Sequence, residues 1–185
     1  MSRLPELSEA ELDSEQRQVL EAMQSGPRGG APGPLAIWLQ SPGFCDPAQQ
    51  LGTFVRFGSS LPPRLYEIAV LVVAQHWQTQ FEWWAHARLA REGGVAAATI
   101  EAIKAGEPPP DLAADEQLVY DLAIELIQNR HLDDALYRRA VDLLGSRAVV
   151  ELVGTMGYYT LVSMTLNAFE VELPEGEEQP FPKRT

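Results

Sequence analysis

Between Glu67 and His86 the chain gathers the side chains best suited to acid–base chemistry: Glu67, His76, Gln78, Gln80, Glu82 and His86, with two of its three histidines among them. An imidazole titrates near neutrality, so it can give or take a proton in the range where enzymes work. A carboxyl group in apolar surroundings holds its proton more tightly than one in water and can act as acid or base. Glu67 sits in such surroundings, inside the run LYEIAVLVVAQHW. Glu82 precedes His86 by four residues, the spacing that sets two side chains on one face of a helix. Glu67, Glu82 and His86 are therefore the candidate catalytic groups. His76, Gln78 and, from a later helix, Tyr158 are the candidates for touching a substrate, and Tyr159 and Asn167 lie on that same later helix. Glu82-x-x-x-His86 also has the spacing of a helical metal-ligand pair, but no His-Glu-x-x-His or comparable signature accompanies it. Neither a metal nor a cofactor is expected.

These groups can meet only if the chain turns back between them. On one unbroken helix Glu67 and His86 would stand roughly 28 Å apart, at about 1.5 Å per residue. Thr79-Gln80-Phe81-Glu82 matches a capping box, with threonine as N-cap and glutamate three residues on. One helix is thus expected to end near Trp77-Gln78, and a second to run from Thr79 to Gly93-Gly94. Folded back as a hairpin, the two helices can direct Glu67 and His86 to one cleft. Each group also has a structural explanation: Glu67 as the ion-pair partner of Arg64, Glu82 as the capping-box carboxylate, His76 as a cation at a helix C-terminus.

Around the hairpin, apolar residues recur at spacings of three and four, and strand signals are nearly absent. The pattern predicts an all-α protein, with helices near 13–23, 35–39, 47–57, 96–105, 113–129, 133–143 and 146–169. Asp46-Pro47 is read as an N-cap followed by proline at the first helical position. An N-terminal arm covers about 1–34, a polar tail about 174–185, and the whole of 1–185 is read as one domain. The composition is 45% apolar, enough for a substantial core, and the formal charge is −12. Such a surface repels a phosphate backbone or an anionic membrane, so neither nucleic acid nor membrane is an expected partner. Neither a secretory leader nor an unbroken apolar span is evident, and the lone Cys45 can form no internal disulfide. A cytoplasmic protein is the expectation.

The order of these residues resembles the carboxymuconolactone decarboxylase and alkyl hydroperoxidase D family. That family carries a glutamate, then Cys-x-x-Cys, then a histidine four residues past the second cysteine. Here Glu67 and His86 stand at the glutamate and histidine places, and Ala85-His86, LAREGGV and GYYTLVSMTLNAF look like family segments. The likeness spans roughly Asp13 to Pro174. It implies a multi-helical alkyl hydroperoxidase D-like fold with a central helical hairpin, assembled as a homo-trimer or homo-hexamer. The departure lies at the cysteines, whose places are held by Thr79 and Glu82. Neither side chain forms a disulfide, so a dithiol peroxidase cycle cannot run on them, and Cys45 is far off in sequence. The resemblance then implies cysteine-independent, decarboxylase-like chemistry on a small lactone or other enolisable carboxylate. A peroxidase-related activity, as the family name suggests, and a non-catalytic ligand-binding or oligomeric scaffold are the alternatives.

Overall fold

Asp13 begins the first helix, α1 (Ser14–Ser25), with a reciprocal pair of bonds. Its Oδ1 accepts from the Gln16 backbone N–H at 2.8 Å, and the Gln16 side-chain oxygen accepts from the Asp13 N–H at 2.9 Å. Two orphan donors of the helix start are satisfied at once. The computed structural model describes residues 2–4, 7–31 and 33–182, so the last three residues of the tail lie outside the described residues. Among the described residues there are eight helices and one π-helical turn, and no strand. The fold class is all-α, as the apolar spacing predicts.

The chain divides into two compact units, residues 1–59 with 164–172 and residues 60–163 with 173–185. In the first, α1 is followed by α2 (Pro34–Trp38) and α3 (Pro42–Thr53), and a π-turn, Phe54–Gly58, continues α3. Proline opens both α2 and α3, where its missing N–H is one of the helix's unsatisfied donors anyway. The expected helix start at Asp46-Pro47 is corrected: α3 begins at Pro42, and Pro47 lies inside it. Pro47, the sixth residue of α3, has no N–H to give to the carbonyl of Gly43, and the helix continues past it to Thr53. Asp46 instead accepts from the side-chain amides of Gln49 and Gln50, at 3.1 and 2.9 Å. Met23, Leu35, Trp38, Cys45 and Val55 form the core of this unit, and the Trp38 indole N–H donates to Thr165 Oγ1 at 2.8 Å. Burial, then the neighbouring Asp46 charge, pushes the Cys45 thiol up to about 11, so it stays protonated and unreactive.

The second unit is built on α4 (Pro63–His76), with α5 (Gln80–Glu92), α6 (Ala97–Ala105) and α7 (Ala114–Asn129) packed against it. Every residue of α4 from Leu65 to Ala74 is buried, which accounts for a sequence that is apolar but for Glu67 and the Tyr66 hydroxyl. Each fully buried Val, Leu or Ile contributes roughly 1.5–3 kcal/mol. Arg64 clamps α4 to α7, donating to both carboxylate oxygens of Asp115 and lying 3.2 Å from Glu116. That pairing leaves Glu67 without the Arg64 partner proposed for it. The last helix, α8 (Asp134–Ala168), is broken at Gly145, whose φ of 81° suits a residue without a Cβ. α8 is long and apolar enough to cross a membrane, yet 61% of its apolar window is buried within the protein, as in the core helix of a soluble protein. The polar tail is docked: Phe181 is buried edge-on to Trp83 at 5.3 Å, and Gln80 holds its backbone N–H and carbonyl, each at 2.9 Å.

Candidate active site

The hairpin turn between α4 and α5 is closed by backbone chemistry. Trp77 N–H donates to Val73 O and Gln78 N–H to Gln75 O, each at 3.0 Å, and Gln78 takes a left-handed φ of 48°. Its side-chain amide adds a third bond, to Gln75 O at 2.8 Å, which offsets part of the cost of that conformation. Thr79 N–H reaches back to Ala74 O at 3.0 Å, and Thr79 then adopts the extended backbone of an N-cap. The helix break expected between Trp77 and Thr79 is present.

The capping box is not. Thr79 Oγ1 makes no bond to the first turn of α5 and is buried without a partner among the described residues. The Glu82 carboxylate, which a capping box would direct to the Thr79 N–H, turns instead to His86. Glu82 Oε1 lies 2.9 Å from His86 Nε2, while Glu67 Oε2, from α4, lies 2.7 Å from His86 Nδ1. The imidazole is thus held at both nitrogens by carboxylates from the two arms of the hairpin. All three side chains are buried, with Glu67 6%, Glu82 4% and His86 3% exposed. Burial alone would push the histidine pKa down. The charges and hydrogen bonds of Glu67 and Glu82 outweigh it and lift the pKa to about 9, so the ring is an imidazolium at neutral pH.

Two tyrosines complete the cluster. The Tyr159 ring, from α8, stands edge-on to the imidazole at 4.8 Å, and its hydroxyl is hydrogen-bonded to that of Tyr66, the residue before Glu67. Burial, then Tyr66 and the carboxylates Glu82 and Glu67, raises the Tyr159 phenol well above its ordinary value, so it stays neutral. Thr155 and Ser163 flank Tyr159 at four-residue spacing on α8, and both hydroxyls are buried without a partner among the described residues. With Thr79, three hydroxyls of this unit are buried without a partner among the described residues.

The remaining sequence candidates are placed differently. His76 is exposed and stacks edge-on against Trp77 at 5.7 Å. Gln78 spends its amide on the C-terminus of α4. Tyr158 is buried edge-on to Tyr159 at 5.3 Å, one residue from the ring that meets the histidine. Tyr66 escaped the sequence reading because a tyrosine in an apolar helix reads as core. With both ring nitrogens taken by carboxylates, His86 presents no lone pair to a metal, and among the described residues no cluster of three or more ligand-type side chains is arranged to hold one.

The whole fold recurs in a solved structure. A protein from Silicibacter sp. TM1040, described as an uncharacterized peroxidase-related protein, superposes with a TM-score of 0.74 at 15% identity, over 97% of this chain and 96% of that one. No family model and no curated protein matches the sequence. The chain therefore has the all-helical fold of a peroxidase-related protein, and at this identity the likeness extends to the fold alone.

Proposed function

We propose that this protein is a cysteine-independent acid–base enzyme of the carboxymuconolactone decarboxylase kind, acting on a lactone or another enolisable carboxylate. The observation that carries the reading is His86, held as an imidazolium between Glu67 and Glu82. In such a reaction the bond to the departing carboxylate breaks, carbon dioxide leaves, and the electron pair stays behind as a dienolate. The imidazolium supplies the proton that returns to carbon, and water restores it afterwards. Glu67 on Nδ1 fixes the ring, and Glu82 on Nε2 holds the proton to be delivered. The unpartnered hydroxyls of Thr79, Thr155 and Ser163 support a polar ligand, since buried hydroxyls are ordinarily bonded and a substrate oxygen would satisfy them. The exposed apolar residues Phe44, Leu51 and Phe54 of the first unit and Leu143, Val150 and Val153 of the second support a homo-oligomer, a trimer or hexamer. Light scattering at micromolar concentration tests that assembly.

The burial of the cluster favours a second reading, in which the carboxylate–imidazolium cluster only staples the hairpin of a non-catalytic, ligand-binding scaffold. A peroxide-directed activity, which the description of the structural neighbour suggests, would have to proceed without a thiol pair, because Cys45 is the only cysteine in the sequence. A panel of lactones and hydroperoxides on the wild type, beside Glu67→Gln and His86→Ala, separates the three. The enzyme reading expects lactone turnover and a fall in kcat of about 10²-fold or more in each variant. Turnover of hydroperoxides alone would favour the peroxide reading, and no turnover with binding intact the scaffold.

A further inference from the structure

Phe181, near the end of the polar tail, is held on the first turn of α5 by two kinds of contact. Its ring is buried edge-on to Trp83 at 5.3 Å. Its backbone N–H donates to Gln80 Oε1 and its carbonyl accepts from Gln80 Nε2, each at 2.9 Å, so the side-chain amide pairs with it as a neighbouring strand would. Proline flanks Phe181 on both sides. Pro180 and Pro182 fix their own φ, and a residue before proline is confined to extended backbone, so the segment is shaped for this seat before it docks. The stretch leading to it, residues 174–179, is exposed and turned on itself by a bond from Glu177 N–H to Pro174 O at 3.2 Å.

The same turn of α5 carries part of the cluster. Glu82 adjoins Trp83 in sequence, and His86 follows Trp83 by three residues, the spacing of neighbours on a helix. Trp83 is itself buried, with the Phe181 ring against it. Because Glu67, Glu82 and His86 are buried too, a ligand reaches the imidazolium only after some covering element moves. α4 is buried from Leu65 to Ala74, and opening it would dismantle the core of the unit. The tail can leave at smaller cost, because one ring and one side-chain amide hold Phe181 and exposed chain leads to it. We infer that the segment 180–182 is a releasable strap over the first turn of α5, and that its release admits water and a small ligand to the His86 cluster. What the strap guards rests on the acid–base reading proposed above. Held, it keeps the cluster dry; released, it uncovers Trp83 and the edge of the helix that carries Glu82.

The test is native-state hydrogen exchange of the full chain, followed by nuclear magnetic resonance at low urea. It reads access rather than turnover, so the strap stands or falls independently of the lactone and hydroperoxide panel. The His86 ring N–H protons are assigned by their absence in His86→Ala. The strap predicts that they and the Phe181 N–H exchange through openings of the same weak urea dependence, because only a small unit opens. The α4 amides of residues 68–72 should instead show the steep dependence of global unfolding. Gln80 is half-buried, and Gln80→Ala removes both amide bonds to Phe181. That variant should speed exchange at the ring by about tenfold or more, the scale of two lost hydrogen bonds. Phe181→Leu keeps most of the apolar plug and should speed it less than Phe181→Ala. Ring protons as slow and as steeply urea-dependent as the α4 amides would overturn the inference. So would ring exchange unchanged in Gln80→Ala, or a Phe181 N–H that exchanges freely while the ring stays protected.

Discussion

Raising the pH should weaken this protein well before its thiol titrates, because the His86 imidazolium is a folded-state charge. In the unfolded chain the ring titrates near 6.5, and in the folded protein its pKa is lifted to about 9. A raised histidine pKa stabilises the fold fully below the unfolded value, where both states carry the proton. That stabilisation is lost as pH climbs through the folded value. At 1.36 kcal/mol per pKa unit the complete loss is about 3 kcal/mol, of which about 2 kcal/mol is gone by about pH 8.5. For a chain of this length that corresponds to a fall in Tm of roughly 4–8 °C between about pH 6 and 8.5. Cys45, with a pKa of about 11, and Tyr159, raised well above the ordinary phenol value, lie above this window. The comparator is Glu82→Gln, which preserves a hydrogen bond to Nε2 and removes one carboxylate charge, so its pH-dependent loss should be smaller. Urea melts of both proteins across the window measure the difference, and nuclear magnetic resonance of the imidazole reads its titration directly. A ring titrating near 6.5, or identical pH slopes in the two proteins, would refute the electrostatic account.

Three further expectations follow from individual side chains. Native Cys45 should resist an aromatic disulfide reagent and react only on unfolding, and Cys45→Ser should leave turnover intact; rapid reaction of the native thiol would contradict its burial. Thr79→Val removes a buried, unpartnered hydroxyl and should raise stability by about 1 kcal/mol in a denaturant melt, whereas a loss of that size would reveal a cap bond after all. Phe181→Ala should cost about 3 kcal/mol and alter Trp83 fluorescence, because it empties the place where the tail packs on that ring; an unchanged melt would mean that the tail does not dock in solution.

The helices were legible because the chain punctuates them with residues whose backbone preferences are strong. Gly93-Gly94 ends α5 as expected, and the break of α8 at Gly145 falls between the helices expected over 133–143 and 146–169. Pro47 misled for a reason of the same kind. Two prolines five residues apart both suit a helix start, and the earlier one took it. The site was less legible. A capping box is a local pattern, and its glutamate was assigned to the nearest orphan N–H. In the fold that N–H is already bonded to Ala74, while an imidazolium stands one turn along the same helix. A hydrogen bond to a charged group is roughly twice as strong as a neutral one, so the carboxylate goes to the ring. Glu67 could be assigned to His86 only through the hairpin, and the Tyr66–Tyr159 pair joins helices far apart in sequence, with no periodic signal to announce it.

The dryness of the cluster bears on which of its two readings is the stronger. Two carboxylates and an imidazolium out of water are expensive, and replacing buried ion pairs by apolar residues of like volume is often neutral or stabilising by about 1–4 kcal/mol. A staple would therefore need to supply something that apolar packing could not, such as the register of α4 against α5. Register, however, is already set at the turn by the left-handed Gln78, its amide on Gln75 O, and the bond from Thr79 N–H to Ala74 O. The apolar face of α4 buries the same helix pair without help from charge. The cluster thus duplicates what the turn and the core provide. On the acid–base reading proposed above, the cost of the buried charges would be recovered in chemistry rather than in packing, which the activity panel on Glu67→Gln and His86→Ala decides.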